Sequence, residues 1–152
     1  MIIPEDKMEA YAFCVDFVKQ KRQLLQHRID EVKESLTSET KSSAGDKHET
    51  GRAMLQLERE KLGYQLLDLE KMETVLHGID PESSPERIGL GSLVETKTAC
   101  FFISISAGLY KSNKYQIFCI SPQAPVGKLL LGKQEGETYE LNGKIHKILR
   151  IV

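Results

Sequence analysis

Two long segments of the chain repeat apolar residues at steps of three and four, and the two series mirror each other. The first series is Tyr11, Val15, Val18, Leu25, Ile29, Val32 and Leu36, and the second is Leu55, Leu62, Leu66, Leu69 and Leu76. This spacing is typical of the seam between two coiled helices. Polar residues take the missing seam positions. Among them, Arg22 would lie one turn from Glu73, so we expect a salt bridge that fixes the alignment.

When the two helices are paired antiparallel, the two series match residue for residue. The residue numbers of each facing pair sum to 91, as they do for Leu36 with Leu55 and for Leu25 with Leu66. The centre of this helical hairpin then falls between Gly45 and Asp46. The pairing places two carboxylates, Asp46 and Glu49, at the far end. About 35 residues separate position 11 from that end, which corresponds to roughly 50 Å at ~1.5 Å per residue.

The reversal between the helices is predicted from composition. The first helix covers residues 5–37 and weakens over 37–45, where hydroxyl side chains and a glycine compete with helical hydrogen bonding. Asp46 is a suitable N-cap for the second helix, and Glu49 completes a capping-box-like spacing, which is a structural alternative to any chemical role. The second helix ends at His77-Gly78.

Composition sets mild limits. The net charge of −1 with 28% charged residues implies no global attraction to nucleic acid, so any such attraction must be local. We expect no membrane span and no secretory signal, since there is no run of 18 apolar residues and no charged-then-apolar leader. The three cysteines, Cys14, Cys100 and Cys119, indicate buried thiols in a reducing cytosol, so a cytoplasmic protein is expected.

A basic patch on the first helix has two interpretations. Lys19, Lys21 and Arg28 lie in a stretch without an acidic residue until Asp30. They form either an ordinary solvated helix face or a flank near nucleic acid, able to bind a DNA or RNA backbone weakly through counterion release.

The second half of the chain changes to the period of β-structure. Residues 92–97, 99–106 and 115–121 are predicted strands, with a turn in 108–113. Residues 124–131 form a short helix with Pro125 in its first turn, and a final hairpin turns at Asn142-Gly143. We therefore predict an α+β protein with three parts: a helical hairpin domain at 1–79, a linker at 80–87 and a small antiparallel β domain at 88–152.

The run from Ser121 to Lys133, Ser-Pro-Gln-Ala-Pro-Val-Gly-Lys-Leu-Leu-Leu-Gly-Lys, resembles the C-terminal domain of the bacterial Gre transcript-cleavage factors. These transcription elongation factors also carry a helical hairpin whose tip has the motif Gly-Asp-x-x-Glu. Here that motif stands as Gly45, Asp46 and Glu49. The resemblance covers nearly the whole chain in the same order.

The resemblance implies a C-terminal domain similar in fold to the FK506-binding proteins. It implies that this domain docks on the rim of the RNA polymerase secondary channel through Ser121, Pro122 and Pro125. The tip would then reach the RNA 3′ end, where Asp46 and Glu49 would help to hold a Mg²⁺ ion shared with the polymerase. The resemblance further implies that the polymerase cuts its own backtracked RNA, so we expect a factor that is not an enzyme and binds no metal alone. No membrane and no small-molecule substrate is expected.

The chain departs from the family at two places. Thr50-Gly51-Arg52-Ala53 stands where Asn-Ala-Glu-Tyr is usual, and the acidic residue usual before the second proline of the docking turn is missing around Gln123-Ala124. A second hypothesis is therefore that the chain is a paralogue that occupies the channel and inhibits or modulates the polymerase without stimulating cleavage. Prolyl isomerase activity is disfavoured, because the aromatic residues are explained as strand core; they are Phe101, Phe102, Tyr110, Tyr115 and Phe118.

Overall fold

The computed structural model describes residues 1–41 and 45–152; the side chains at 40–41 and 45–48 fall outside that description. The described chain is α+β: two long packed helices precede a six-stranded mixed sheet with one short helix. The elements are α1 (Pro4–Lys41), α2 (Gly45–His77), β1 (Leu93–Thr96), β2 (Cys100–Ile103), β3 (Gly108–Lys111), β4 (Gln116–Ile120), α3 (Pro125–Leu130), β5 (Thr138–Leu141) and β6 (Lys144–Ile151).

The two long helices form where the sequence predicts them, with small differences at their ends. α1 has 38 residues and continues to Lys41, four residues beyond the predicted end, because serine and threonine weaken a helix without breaking it. α2 has 33 residues and begins at Gly45. Its last turn closes at the predicted glycine, since the Gly78 amide donates to the Thr74 carbonyl at 3.1 Å.

The described chain forms two compact units. One contains residues 1–17 and 74–152, and the other contains residues 18–73. The predicted domain limits, with a linker at 80–87, describe which parts of the chain fold independently. They stay a prediction.

In the unit 18–73, the two helices run antiparallel. Arg22 contacts Glu73, whereas further along α1 the Glu39 carboxylate lies 3.3 Å from where a Cβ on Gly51 would stand. As the residue numbers along α1 increase, the residue numbers of the facing positions on α2 decrease, which is the antiparallel arrangement. Buried side chains recur every seven residues on each helix, at Val18, Leu25 and Val32 and at Leu62 and Leu69. This is the seam that the heptad spacing predicts.

In the other unit, the first turns of α1 bury a different face from the one predicted. The predicted seam residue Val15 is 43% exposed, while Ala10 and Cys14 are fully buried. The reason is a tertiary contact, since the Cys14 thiol lies 3.5 Å from the Ser104 hydroxyl, just beyond β2. Here α1 packs on the sheet as well as on α2, where the Tyr11 hydroxyl donates to the Leu76 carbonyl at 3.0 Å.

The sheet has the strand order β3-β4-β2-β1-β6-β5. The prediction of an antiparallel β domain is wrong in one respect, because β2 and β4 are parallel, with Phe102 opposite Cys119. The chain leaving β2 passes the position of β4, forms β3 at the sheet edge and returns as β4, antiparallel to β3. The chain reverses direction once before β3 and once before β4, so β4 runs parallel to β2.

The third strand, β3, lies inside the predicted turn at 108–113. Its sequence is Gly-Leu-Tyr-Lys, and neither of its end residues is buried. A short, exposed edge strand does not alternate between buried and exposed residues, so its sequence shows no alternation of apolar and polar residues. Its pairing with β4 comes from tertiary structure.

Apolar side chains on the two faces of the sheet make two packed layers. One face, with α3 and β5, forms a core cluster of Ile88, Val94, Ile103, Leu130, Tyr139, Ile148 and Ile151. The neighbouring residues Leu93 and Phe102 point to the other face and are also fully buried. The final hairpin turns at Asn142 and Gly143, whose φ angles of 52° and 76° confirm the predicted Asn-Gly turn.

Candidate functional site

The predicted acidic tip lies at the start of α2. The helix begins at Gly45, so Asp46 stands inside its first turn and not at the N-cap position that the sequence suggested. A carboxylate in a first turn is still favoured by the helix dipole. Positions 46 and 49 are three residues apart on one helix and therefore share a face. The Glu49 side chain is exposed, whereas the Asp46 side chain lies outside the described residues.

A second acidic side chain approaches the same part of the hairpin from α1. A Cβ added to Gly51 would lie 3.3 Å from Glu39 Oε1. Glycine at position 51 therefore leaves room for the Glu39 carboxyl group. In the sequence, Gly51 is only a departure from the Gre motif, because its proximity to Glu39 depends on the helix register.

The two carboxylates at positions 46 and 49 are donors of a kind that a hydrated Mg²⁺ ion accepts. Carboxylate oxygens are hard ligands of the kind Mg²⁺ prefers, and Mg²⁺ commonly keeps most of its waters with one or two protein carboxylates. Among the residues that the structure describes, no three His, Cys, Asp or Glu side chains form a group that could hold a metal ion. Asp46 and Glu49 can supply at most a part of a coordination shell.

The predicted docking turn at 121–125 is a compact, hydrogen-bonded turn before α3. The Gln123 amide donates to the Ser121 hydroxyl at 3.2 Å, and the Ala124 amide donates to the Ser121 carbonyl at 3.0 Å. Pro125 is the first residue of α3 and is exposed, while Ser121 and Pro122 are half-buried. The turn therefore presents Pro125 on a fixed backbone.

Gly127 holds this turn against α3, a role that spacing alone did not identify. A Cβ at position 127 would lie 2.3 Å from the Ser121 carbonyl oxygen and 3.1 Å from that of Pro122. The first of these distances is far inside van der Waals contact, the second is tight, and both involve backbone atoms. A glycine two residues after Pro125 was the only signal in the sequence, and it does not by itself indicate a close approach.

The predicted basic patch is exposed but divided between two faces of α1. Lys21 and Arg28 are seven residues apart and share a face, whereas Lys19 lies about half a turn away from Arg28 around the helix. All three side chains are exposed on the unit 18–73. Lys21 and Arg28 therefore lie on one face of α1, about 10 Å apart along the helix axis, and Lys19 lies on another face.

Several ionisable groups are buried in the unit that contains the sheet, and the three cysteines and Lys7 are among them. The three cysteines are buried free thiols, as predicted. Burial raises the pKa of Cys100 to about 11, so this thiol stays neutral near pH 7. No sequence pattern predicts the burial of Lys7, which is 1% exposed and donates to the Ser83 carbonyl. Burial lowers its pKa, and nearby Asp80 opposes that change.

Comparison with known proteins adds no family to these observations. A scan against models of protein families finds no match, and a search of curated proteins finds no relative. Within the described residues, no helix combines the length and the apolar character needed to cross a membrane.

Proposed function

We propose that this chain is a Gre-like transcription elongation factor. In this proposal, the α1–α2 pair is a coiled-coil hairpin that enters the secondary channel of RNA polymerase, and the sheet domain is FK506-binding-protein-like and docks on the rim. The observation that carries the proposal is the position of the acidic motif. Gly45, Asp46 and Glu49 occupy the first turns of α2, next to the reversal between two long antiparallel helices.

The chemistry proposed for the tip follows from its two carboxylates. When the tip reaches the polymerase active centre, Asp46 and Glu49 would help to hold a second, hydrated Mg²⁺ ion whose other ligands belong to the polymerase. Together with the first Mg²⁺ ion, which is the polymerase's own, it would stabilise the attacking and leaving oxygens of phosphodiester cleavage. The carboxylates also orient an attacking water near the RNA 3′ end. Glu49 is exposed and available for this role.

The proposed polymerase contact uses the turn at 121–125. Pro125 is exposed, and the hydrogen bonds of Ser121 with Gln123 and Ala124 fix the backbone around it. A rigid turn loses little conformational entropy when it binds, which favours a defined contact. Lys21 and Arg28 share a face of α1, and we propose that they lie near the nucleic-acid backbone, where weak binding of DNA or RNA follows from counterion release.

The test is RNA cleavage in an assembled, backtracked complex of the cognate polymerase. We expect the wild-type protein to shorten the stalled RNA, and Asp46→Asn with Glu49→Gln to bind the polymerase without this effect. Glu58→Gln is the matched control, because Glu58 is an exposed carboxylate of the same helix, away from its first turn. Equal stimulation by all three proteins would overturn the proposed role of the tip.

A second function is favoured by the sequence after the tip. The Glu39 carboxyl group lies 3.3 Å from where a Cβ on Gly51 would stand, and Arg52 stands where the Gre family usually has an acid. On this alternative, the protein occupies the secondary channel and slows nucleotide addition without stimulating cleavage. The same complexes distinguish the two functions, since the alternative predicts inhibited elongation and unchanged cleavage for the wild-type protein.

A further inference from the structure

α2 carries a second series of residues with coiled-coil spacing, on a face that is exposed. Its apolar members Leu57, Tyr64 and Leu67 are 66%, 73% and 50% exposed. The whole series steps by four and three residues and is called the outer stripe here: Ala53, Leu57, Glu60, Tyr64, Leu67 and Lys71, all of them exposed.

The outer stripe is separate from the seam between α1 and α2. On α2 that seam buries Leu62 and Leu69. Tyr64 and Lys71 follow these residues by two positions, which places them about 160° away around the helix. Large apolar side chains that repeat along an exposed face are typical of a surface that binds another helix.

We propose that the outer stripe binds the outer stripe of a second copy of this chain, with the two α2 helices antiparallel. In a two-fold arrangement where Tyr64 faces Leu67 of the second copy, Glu60 faces Lys71 of the second copy. Each pair occurs twice, because both copies present the same surface. The apolar pairs lie next to the two-fold axis, and the opposite charges flank them.

The charges select this arrangement over the alternatives. Parallel helices in register would place Glu60 against Glu60 and Lys71 against Lys71, and like charges at this distance repel. Shifting the antiparallel pairing by one heptad would place Glu60 against Tyr64 and leave Lys71 against Ala53. Only the arrangement centred between Tyr64 and Leu67 pairs every charge of the stripe with its opposite.

This inference does not rest on the proposed function, because it uses neither the tip nor the docking turn. The test is sedimentation velocity of the full chain across a wide range of protein concentration. We expect a concentration-dependent monomer–dimer equilibrium for the wild-type protein. Glu60→Lys and Lys71→Glu should each weaken the dimer about tenfold or more, since each converts two attractive pairs into two repulsive ones.

The decisive measurement is a mixture of the two variants. Glu60→Lys mixed with Lys71→Glu restores opposite charges at both positions, so the mixture should form a heterodimer about as readily as the wild-type protein dimerises. Glu58→Lys is the matched control and should dimerise like the wild type, because Glu58 is exposed but outside the stripe. A wild-type protein that stays monomeric, or a dimer that neither single reversal weakens, would overturn the proposal.

Discussion

Arg22 of α1 and Glu73 of α2 form a two-point salt bridge. Arg22 Nε donates to Glu73 Oε2 at 3.2 Å, and Nη2 donates to Oε1. The hydrogen bond to Glu73 raises the pKa of the Arg22 guanidinium, so the cation is favoured at every working pH. The pair is the polar contact that the heptad interruption predicts, and it aligns the two helices by charge.

The first prediction concerns this alignment. Arg22→Glu or Glu73→Arg alone places like charges together and should lower the free energy of unfolding. The double exchange of Arg22→Glu with Glu73→Arg should recover most of the loss. Urea unfolding of the four proteins, at low and high salt, measures the coupling. Additive losses in the double variant would show that the two side chains do not stabilise each other.

Gly63 gives a second prediction, because nothing else in the described structure lies within 4 Å of a Cβ built on it. An exposed glycine inside a helix costs conformational entropy without a packing benefit, so Gly63→Ala should stabilise the protein by about 0.5–1 kcal/mol. Gly51→Ala is the comparison, because its Cβ meets the Glu39 carboxyl group at 3.3 Å. Thermal unfolding at low protein concentration should show a smaller gain, or a loss, at position 51.

A third prediction tests the turn that precedes α3. Gly127→Ala places a Cβ 2.3 Å from the Ser121 carbonyl oxygen, so either the turn or α3 must shift. Overpacking against backbone should cost about 2–3 kcal/mol of unfolding free energy. Chemical denaturation measures the loss, and loss of polymerase binding should accompany it. An unfolding free energy equal to that of the wild type would contradict the close approach of α3 to the turn.

Local sequence signals were enough for the helices and the tight turns. The heptads, the Asn142-Gly143 pair and Pro125 act within a few residues, and the structure has the two helices, the hairpin and the short helix that they predict. At the candidate tip, the sequence located Glu49 correctly on an exposed helix start.

The remaining features depend on partners that are distant in the sequence. The parallel pairing of β2 with β4 and the edge strand β3 come from the path of the whole sheet. Lys7 is buried and donates to the carbonyl of Ser83, 76 residues along the chain, and Gly127 lies where the carbonyls of a turn leave no room for a Cβ. Neither contact leaves a periodic pattern for sequence analysis to detect.

Lys7 also gives a pH-dependent prediction. Burial lowers its pKa below the ordinary 10.5, so the unfolded chain holds this proton more tightly than the folded protein does. Stability should therefore rise as pH increases toward 10.5, compared with a Lys7→Met variant that has no proton to lose.

At neutral pH, Lys7→Met should change the unfolding free energy by no more than about 1 kcal/mol or should stabilise the protein, because it removes the desolvation of a cation. Urea unfolding at several pH values measures both effects. A wild-type protein that loses stability relative to the variant as the pH rises would contradict the lowered pKa.

The most direct test of the tip is the Mg²⁺ dependence of RNA cleavage in a backtracked polymerase complex. If Asp46 and Glu49 help to hold the second metal ion, the wild-type protein should lower the Mg²⁺ concentration needed for half-maximal cleavage. The variant that combines Asp46→Asn and Glu49→Gln should leave that concentration where the polymerase alone has it, because a neutral amide is a poor ligand for a hard dication. The same Mg²⁺ dependence for both proteins would contradict the account and leave the two carboxylates as residues of a helix start.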